Sequence, residues 1–155
     1  MILALPDSEG FSYRENQLYC EDAALDALAE RYGTPLYVYS RRAIERAYDA
    51  YDSALKGRSA QVCYAVKANS NLAVLDVLAR RGAGFDIVSG GELARVLAAG
   101  GSASKTVFSG VGKSEGEIEA ALKANVACFN VESAAELDRA VRSAVEGPAN
   151  GKPQS

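Results

Sequence analysis

From Val62 onward the chain keeps a beat that few architectures can satisfy. Strand-like runs begin at Val62, Phe85, Val107 and Phe129, roughly 22 residues apart. After each comes a helical pattern, at 72–81, about 91–99, 115–124 and 134–146. Self-similarity at a fixed period signals a repeated supersecondary unit, here one strand plus one helix. The repeat shows in the letters as well: Phe85-Asp-Ile-Val-Ser-Gly-Gly-Glu-Leu93 and Phe129-Asn-Val-Glu-Ser-Ala-Ala-Glu-Leu137 share Phe, Ser, Glu and Leu in register. Crossovers of this length predict parallel strands, in a (β/α) barrel or an open doubly wound sheet. These two similar segments lie two units apart, which favours the barrel, whose interior layers are filled from alternate strands. Ser114 with Glu117, and Ser133 with Glu136, fit a capping box at two helix starts.

Four such units stand against the eight of a closed barrel, so the chain reads as half of one. The pattern dissolves after about Glu146 into Gly-Pro-Ala-Asn-Gly-Lys-Pro-Gln-Ser155, a linker-like tail expected to be disordered. Ahead of the beat, residues 10–20 read as a short hairpin or edge segment. Glu21-Asp22 can cap a helix with Ala24, Leu25, Leu28, Ala29 and Tyr32 on its apolar face, and Gly33 stops it. Leu36-Tyr-Val-Tyr-Ser40 is β-rich, and a second helix is predicted over about 41–55, with Ile44, Ala47, Tyr48, Tyr51 and Leu55 on one face.

The first strand of the repeat carries the most suggestive residue. Val62-Cys-Tyr-Ala-Val66 runs into Lys67, and a short turn leads to a helix capped by Ser70 or Asn71 and stopped by Gly82. So apolar a run is expected to be buried on both faces of a parallel sheet, with Lys67 at its C-terminal end, where such folds place their chemistry. A lysine desolvated there becomes a nucleophilic amine of the kind that forms Schiff bases. The plainer alternative is a strand-end lysine that snorkels to water. Asp86 falls inside the next strand, with Ser89-Gly90-Gly91 at its end. An acid there needs a partner, either Lys67 on the adjacent strand or backbone amides and water. Gly110-Val-Gly-Lys-Ser114 resembles a phosphate-binding P-loop, but Val107 stands where the motif needs its first glycine. Lys113 is therefore read as a loop lysine at the barrel mouth, although the glycine-led helix start could accept an isolated anion. Glu92 and Glu136 are read as early-helix residues that favour the dipole.

Composition narrows the functional classes. Lys plus Arg number 17 and Asp plus Glu 20, a net charge of −3, with no basic stripe for nucleic acid and no charged run for a membrane surface. Met1 to Leu5 is too short for a signal peptide, so a cytoplasmic location is expected. With no histidine and three scattered cysteines, neither a metal site nor a disulfide framework is expected. Cys63 and Cys128 are read as small core residues.

Four of these segments, in order, carry a resemblance. Tyr64-Ala-Val-Lys-Ala-Asn69, Gly84-Phe-Asp-Ile-Val-Ser-Gly-Gly-Glu-Leu93, Val107-Phe-Ser-Gly-Val-Gly-Lys113 and Cys128-Phe-Asn-Val-Glu-Ser133 resemble the fold type III pyridoxal-phosphate-dependent decarboxylases. The likeness covers about residues 20–140. Gly33-Thr-Pro-Leu-Tyr-Val-Tyr39 and the Ser-Gly-Val-Gly-Lys run favour the branch that converts meso-2,6-diaminopimelate to L-lysine over the ornithine and arginine branches. Another amino-acid decarboxylase or a racemase of the same fold group, and a non-catalytic fragment, are the alternatives. The resemblance implies an α/β fold, the (β/α)8 TIM-type barrel of the alanine racemase-like enzymes, with about its first four βα units in this chain. It implies pyridoxal 5'-phosphate as cofactor, with Lys67 as the residue that bonds to it and Asp86 as a nearby charge. It also implies a small amino-acid substrate and a homodimer. By the same likeness, 1–35 is an N-terminal segment that joins the family's β-domain, 36–146 is the partial cofactor-binding barrel and 147–155 is the tail. The ring-stacking histidine, the glycine-rich phosphate loops, the acid facing the pyridine nitrogen and the partner subunit's cysteine have no counterpart here. The resemblance therefore implies a truncated gene, a frameshift product or a domain fragment, with little activity of its own.

Overall fold

A computed structural model describes residues 10–145; the expected tail at 147–155 and the apolar start at Met1–Leu5 lie outside the described residues. The chain divides into two units, one ending at Lys56 and the other beginning at Gly57.

In the first unit, β1 (Phe11–Arg14) and β2 (Gln17–Cys20) form the expected antiparallel hairpin. Glu15 and Asn16 both take positive φ, 49° and 67°, the primed geometry that matches the twist of a two-residue hairpin. The first helix starts later than expected. Glu21 sits at φ 55°, outside helical space, and β3 (Ala23–Ala24) adds to the hairpin before α1 (Leu25–Tyr32) begins. Gly33, at φ 80°, ends α1 as foreseen. The β-rich run at 36–40 is not a strand. Its residues make no ladder pairing and deliver Ser40, whose hydroxyl caps α2 (Arg41–Ala54) by accepting from the Ala43 amide at 3.0 Å. Aromatic and β-branched side chains favour extended backbone, but a strand also needs a neighbour to bond.

The second unit is the repeat. β4 (Cys63–Ala65), β5 (Gly84–Ile87), β6 (Thr106–Phe108) and β7 (Cys128–Phe129) form one parallel sheet in the order β4-β5-β6-β7. They alternate with α3 (Leu72–Arg80), α4 (Gly90–Ala98), α5 (Glu115–Lys123) and α6 (Ala134–Val145). Parallel neighbours joined through helices bury one sheet face under those helices. Phe85, Ile87, Thr106 and Phe108 form that face, together with Leu75 and Leu78 of α3, Val96 of α4 and Ile118 of α5, and none of the eight is more than 3% exposed. The ladder pairs Ala65 with Asp86, Asp86 with Val107 and Val107 with Cys128, so these four share the opposite face. None of the four is buried.

That asymmetry corrects two expectations. β4 is only three residues long and half-buried throughout, not sealed on both faces, because it is an edge strand and the chain turns into a 3-10 helix at Val66–Ala68. Cys128 is exposed and Cys63 half-buried, since both lie on the open face or at an edge; Cys20 is the buried cysteine. Among the described residues, no helix is long and apolar enough to cross a membrane.

Candidate active site

The carboxyl ends of the four parallel strands gather the polar residues of the second unit. Two residues beyond the paired row, Lys67 follows Ala65, Ser109 follows Val107 and Asn130 follows Cys128. A strand's alternation keeps residues two apart on one face, so the open face leads on to Ser109 and Asn130, whereas Lys67 is carried by the turn after β4. Lys67 sits in the 3-10 turn after β4 with its side chain exposed, as the snorkelling alternative anticipated and unlike the desolvated lysine. The Tyr64 hydroxyl donates across that turn to the Asn69 carbonyl at 3.3 Å. Arg95 of α4 donates to the Ser70 carbonyl at 3.3 Å, and Asn71 caps α3 by accepting from the Ala73 amide at 2.9 Å. The turn is thus fixed at both ends while the amine it carries reaches solvent.

Asp86 is half-buried and pairs with Ser109, whose hydroxyl donates to its Oδ1 at 2.5 Å. The expected ion pair with Lys67 is not formed among the described residues. The turn takes Lys67 off the line of β4, and a hydroxyl one strand over reaches the carboxylate instead. Asn130 extends the chain, its Nδ2 donating to Ser109 Oγ at 2.9 Å. An amide nitrogen can only donate, so the proton of the Ser109 hydroxyl is left to point at Asp86. Sequence reasoning missed Ser109 and Asn130, although the beat carries a signal for them: they close β6 and β7 as Lys67 closes β4.

Lys113 is corrected as well. It is not at the mouth but buried, its Nζ donating to the carbonyls of Gly110 at 2.7 Å and Asn130 at 2.6 Å and to Glu136 Oε1 at 2.7 Å. Each side chain of that pair is only 2% exposed. An ammonium carries three protons, and these three acceptors use all of them. Glu136 is therefore a buried counter-ion rather than a dipole residue, and the Ser133 capping box is half made: Ser133 Oγ accepts from the Glu136 amide while the Glu136 carboxylate turns inward. The anion site imagined at this glycine-led helix start is likewise filled from within. Glu117 accepts from the Ser114 amide and hydroxyl in a complete capping box, and from the Gly90 amide at 2.9 Å. Glu92 also does more than favour the dipole, since its carboxylate accepts from the Val88 amide at 2.7 Å.

These carboxylates set a pH response. The Lys113 hydrogen bond holds Glu136 below its ordinary value of 4.5, and the Gly90 amide, then Ser114, hold Glu117 below the same value. A carboxyl lowered by folding contributes stability that is complete above its unfolded value and is lost as pH falls through the folded one. Denaturant midpoints measured from pH 7 downward are expected to fall with growing slope below about pH 4.5, and Glu117→Gln to shallow that acid limb. A midpoint that rises on acidification contradicts the assignment.

An exposed amine on a fixed turn, at the carboxyl edge of a parallel sheet whose next strand carries a half-buried carboxylate, can attack an aldehyde. Comparison with known proteins bears on which aldehyde. Residues 41–149 match the family model described as pyridoxal-dependent decarboxylase, pyridoxal binding domain. A diaminopimelate decarboxylase of Pseudomonas aeruginosa is 62% identical over 136 residues, which cover 88% of this chain and 33% of that protein. Among solved structures, diaminopimelate decarboxylase of Helicobacter pylori complexed with L-lysine aligns at TM-score 0.76 and 46% identity, covering 79% of this chain and 31% of that one. The enzyme of the same name from M. jannaschii, in co-complex with L-lysine, aligns at TM-score 0.81 and 34% identity, covering 89% and 33%. The chain spans about a third of the length of the curated relatives it matches.

Proposed function

The chain belongs to the pyridoxal-dependent decarboxylases, and on that premise we propose that it serves the decarboxylation of meso-2,6-diaminopimelate to L-lysine. The observation that carries this reading is the exposed Lys67 amine, held on a fixed turn at the strand ends with Asp86 in the adjoining row. These residues fit pyridoxal phosphate, because its aldehyde needs an unencumbered amine and its cationic nitrogen centres favour a nearby carboxylate. When bound, the cofactor withdraws electrons from the α-carbon of an attached amino acid, so that carbon dioxide can leave. Lys67 would supply the amine that holds the cofactor aldehyde. Asp86, kept in place by the Ser109 hydroxyl, stabilises positive charge at that end of the site. Water reaches the open face of the sheet, and the chemistry requires that face to be covered.

We read the four parallel units as part of a (β/α)8 barrel, with residues 1–35 joining a β-domain. The support is physical: α6 exposes Leu137, Val141 and Val145 along one side, 50%, 52% and 81% accessible, as a helix awaiting a further layer would. A cytoplasmic homodimer completes the reading. The complementary part of the Pseudomonas relative provides the test. Mixed with this chain and pyridoxal phosphate, it is expected to form lysine from meso-diaminopimelate, while the 155 residues alone form none above free cofactor. Lysine formation that ignores the presence of this chain contradicts the proposal.

A further inference from the structure

Lys113 and Glu136 are buried together behind the strand ends, touching neither Lys67 nor Asp86. Desolvating two charges is costly, and apolar residues of similar volume often hold such positions equally well. What apolar residues cannot do is bond two carbonyls at once, and the carbonyls chosen here are informative. One belongs to Gly110, directly after Ser109, and the other to Asn130 itself. The backbone of Asn130 is thereby gripped from both sides, its amide donating to the Phe108 carbonyl at 2.9 Å and its carbonyl accepting from Lys113 at 2.6 Å. Ser109 is gripped likewise, its amide donating to the Ile87 carbonyl at 2.7 Å and its neighbour's carbonyl held by the same ammonium. Gly110, at φ 87°, brings this loop so close to Val88 that an added Cβ would stand 3.0 Å from the Val88 Cβ. The side-chain series Asn130 to Ser109 to Asp86 starts from these two gripped backbones.

We infer that Lys113 and Glu136 are positioning residues: the pair clamps the loops after β6 and β7 so that Asn130 and Ser109 donate in series to Asp86 and fix the orientation of its carboxylate. The clamp lies entirely within this chain. Its meaning for catalysis rests on the reading of Lys67 and Asp86 as the cofactor end.

The test is spectroscopic and needs no cofactor. In the full chain, the 13C resonance of the Asp86 carboxyl carbon is assigned through Asp86→Asn and followed at pH 7. Ser109→Ala, which removes the donor, sets the reference shift. Lys113→Met with Glu136→Met is expected to move the resonance in the same direction by a comparable amount, while amide protection in β5 and β6 stays native. Adding Ser109→Ala to that double variant is then expected to move it no further, because all three changes cut one series. A purely structural pair would leave the Asp86 resonance at its wild-type position in a folded double variant, and that result overturns the inference. Glu136→Gln, which preserves the volume, is the second variant. If both variants lose β5 protection, the pair is a requirement of folding and the inference fails too. Covalent trapping of pyridoxal phosphate on Lys67 is scored separately. Its failure with the resonance shifts intact sinks the functional reading and leaves the clamp standing.

Discussion

Lys113→Met alone is expected to lower the unfolding free energy by about 3–5 kcal/mol, the cost of leaving one member of a buried ion pair uncompensated. The Glu136 carboxylate would keep the amides of Glu132 and Gly112 but lose its principal partner. Removing Glu136 as well takes away the uncompensated charge but leaves the Gly110 and Asn130 carbonyls without the ammonium, so Lys113→Met with Glu136→Met is expected to recover only part of that stability. Denaturant midpoints for the two single variants and the double variant check this. Losses that simply add would mean that the two side chains stabilise the fold independently.

That pair also shows where reading the sequence stops. The parallel sheet, the four helices and the Ser114 cap were legible, because period and capping are local signals repeated along the chain; the 3-10 turn that carries Lys67 off the end of β4 into solvent was not. Lys113 and Glu136 lie 23 residues apart in consecutive units, and each had a satisfactory local reading as a loop lysine and a helix-start acid. Only the folded sheet brings the two loops together. Asp86 was legible as an acid that needed a partner, but its partner was misread. The ladder sets Asp86 equally beside Ala65 and Val107, and the turn at Val66 decides which neighbour reaches it. The 36–40 run misled for a related reason: composition reports tolerance of extended backbone, whereas a strand requires a partner.

Lys67→Ala carries the second large effect. Among the described residues of the second unit, no other lysine is placed as Lys67 is, in the turn that follows a strand's carboxyl end with its amine exposed: Lys113 is buried, and Lys105 is spent on the Gly82 carbonyl at 3.0 Å. Removing a nucleophile that opens the reaction commonly costs roughly 10^4 to 10^6-fold in turnover. In the mixture with the complementary part of the relative, Lys67→Ala is expected to reduce lysine formation by that order while leaving the denaturant midpoint unchanged, since the side chain is exposed and supports no packing. Lysine formation reduced less than tenfold would remove Lys67 from the chemistry.

Whether Lys67 is the residue to which the cofactor attaches can be measured without any turnover. The chain is incubated with pyridoxal phosphate, reduced with borohydride, digested and mapped by mass spectrometry. A single pyridoxyl-modified site at Lys67, absent in Lys67→Ala, is expected. A label on Lys105, Lys113 or Lys123 with Lys67 unmodified would contradict it.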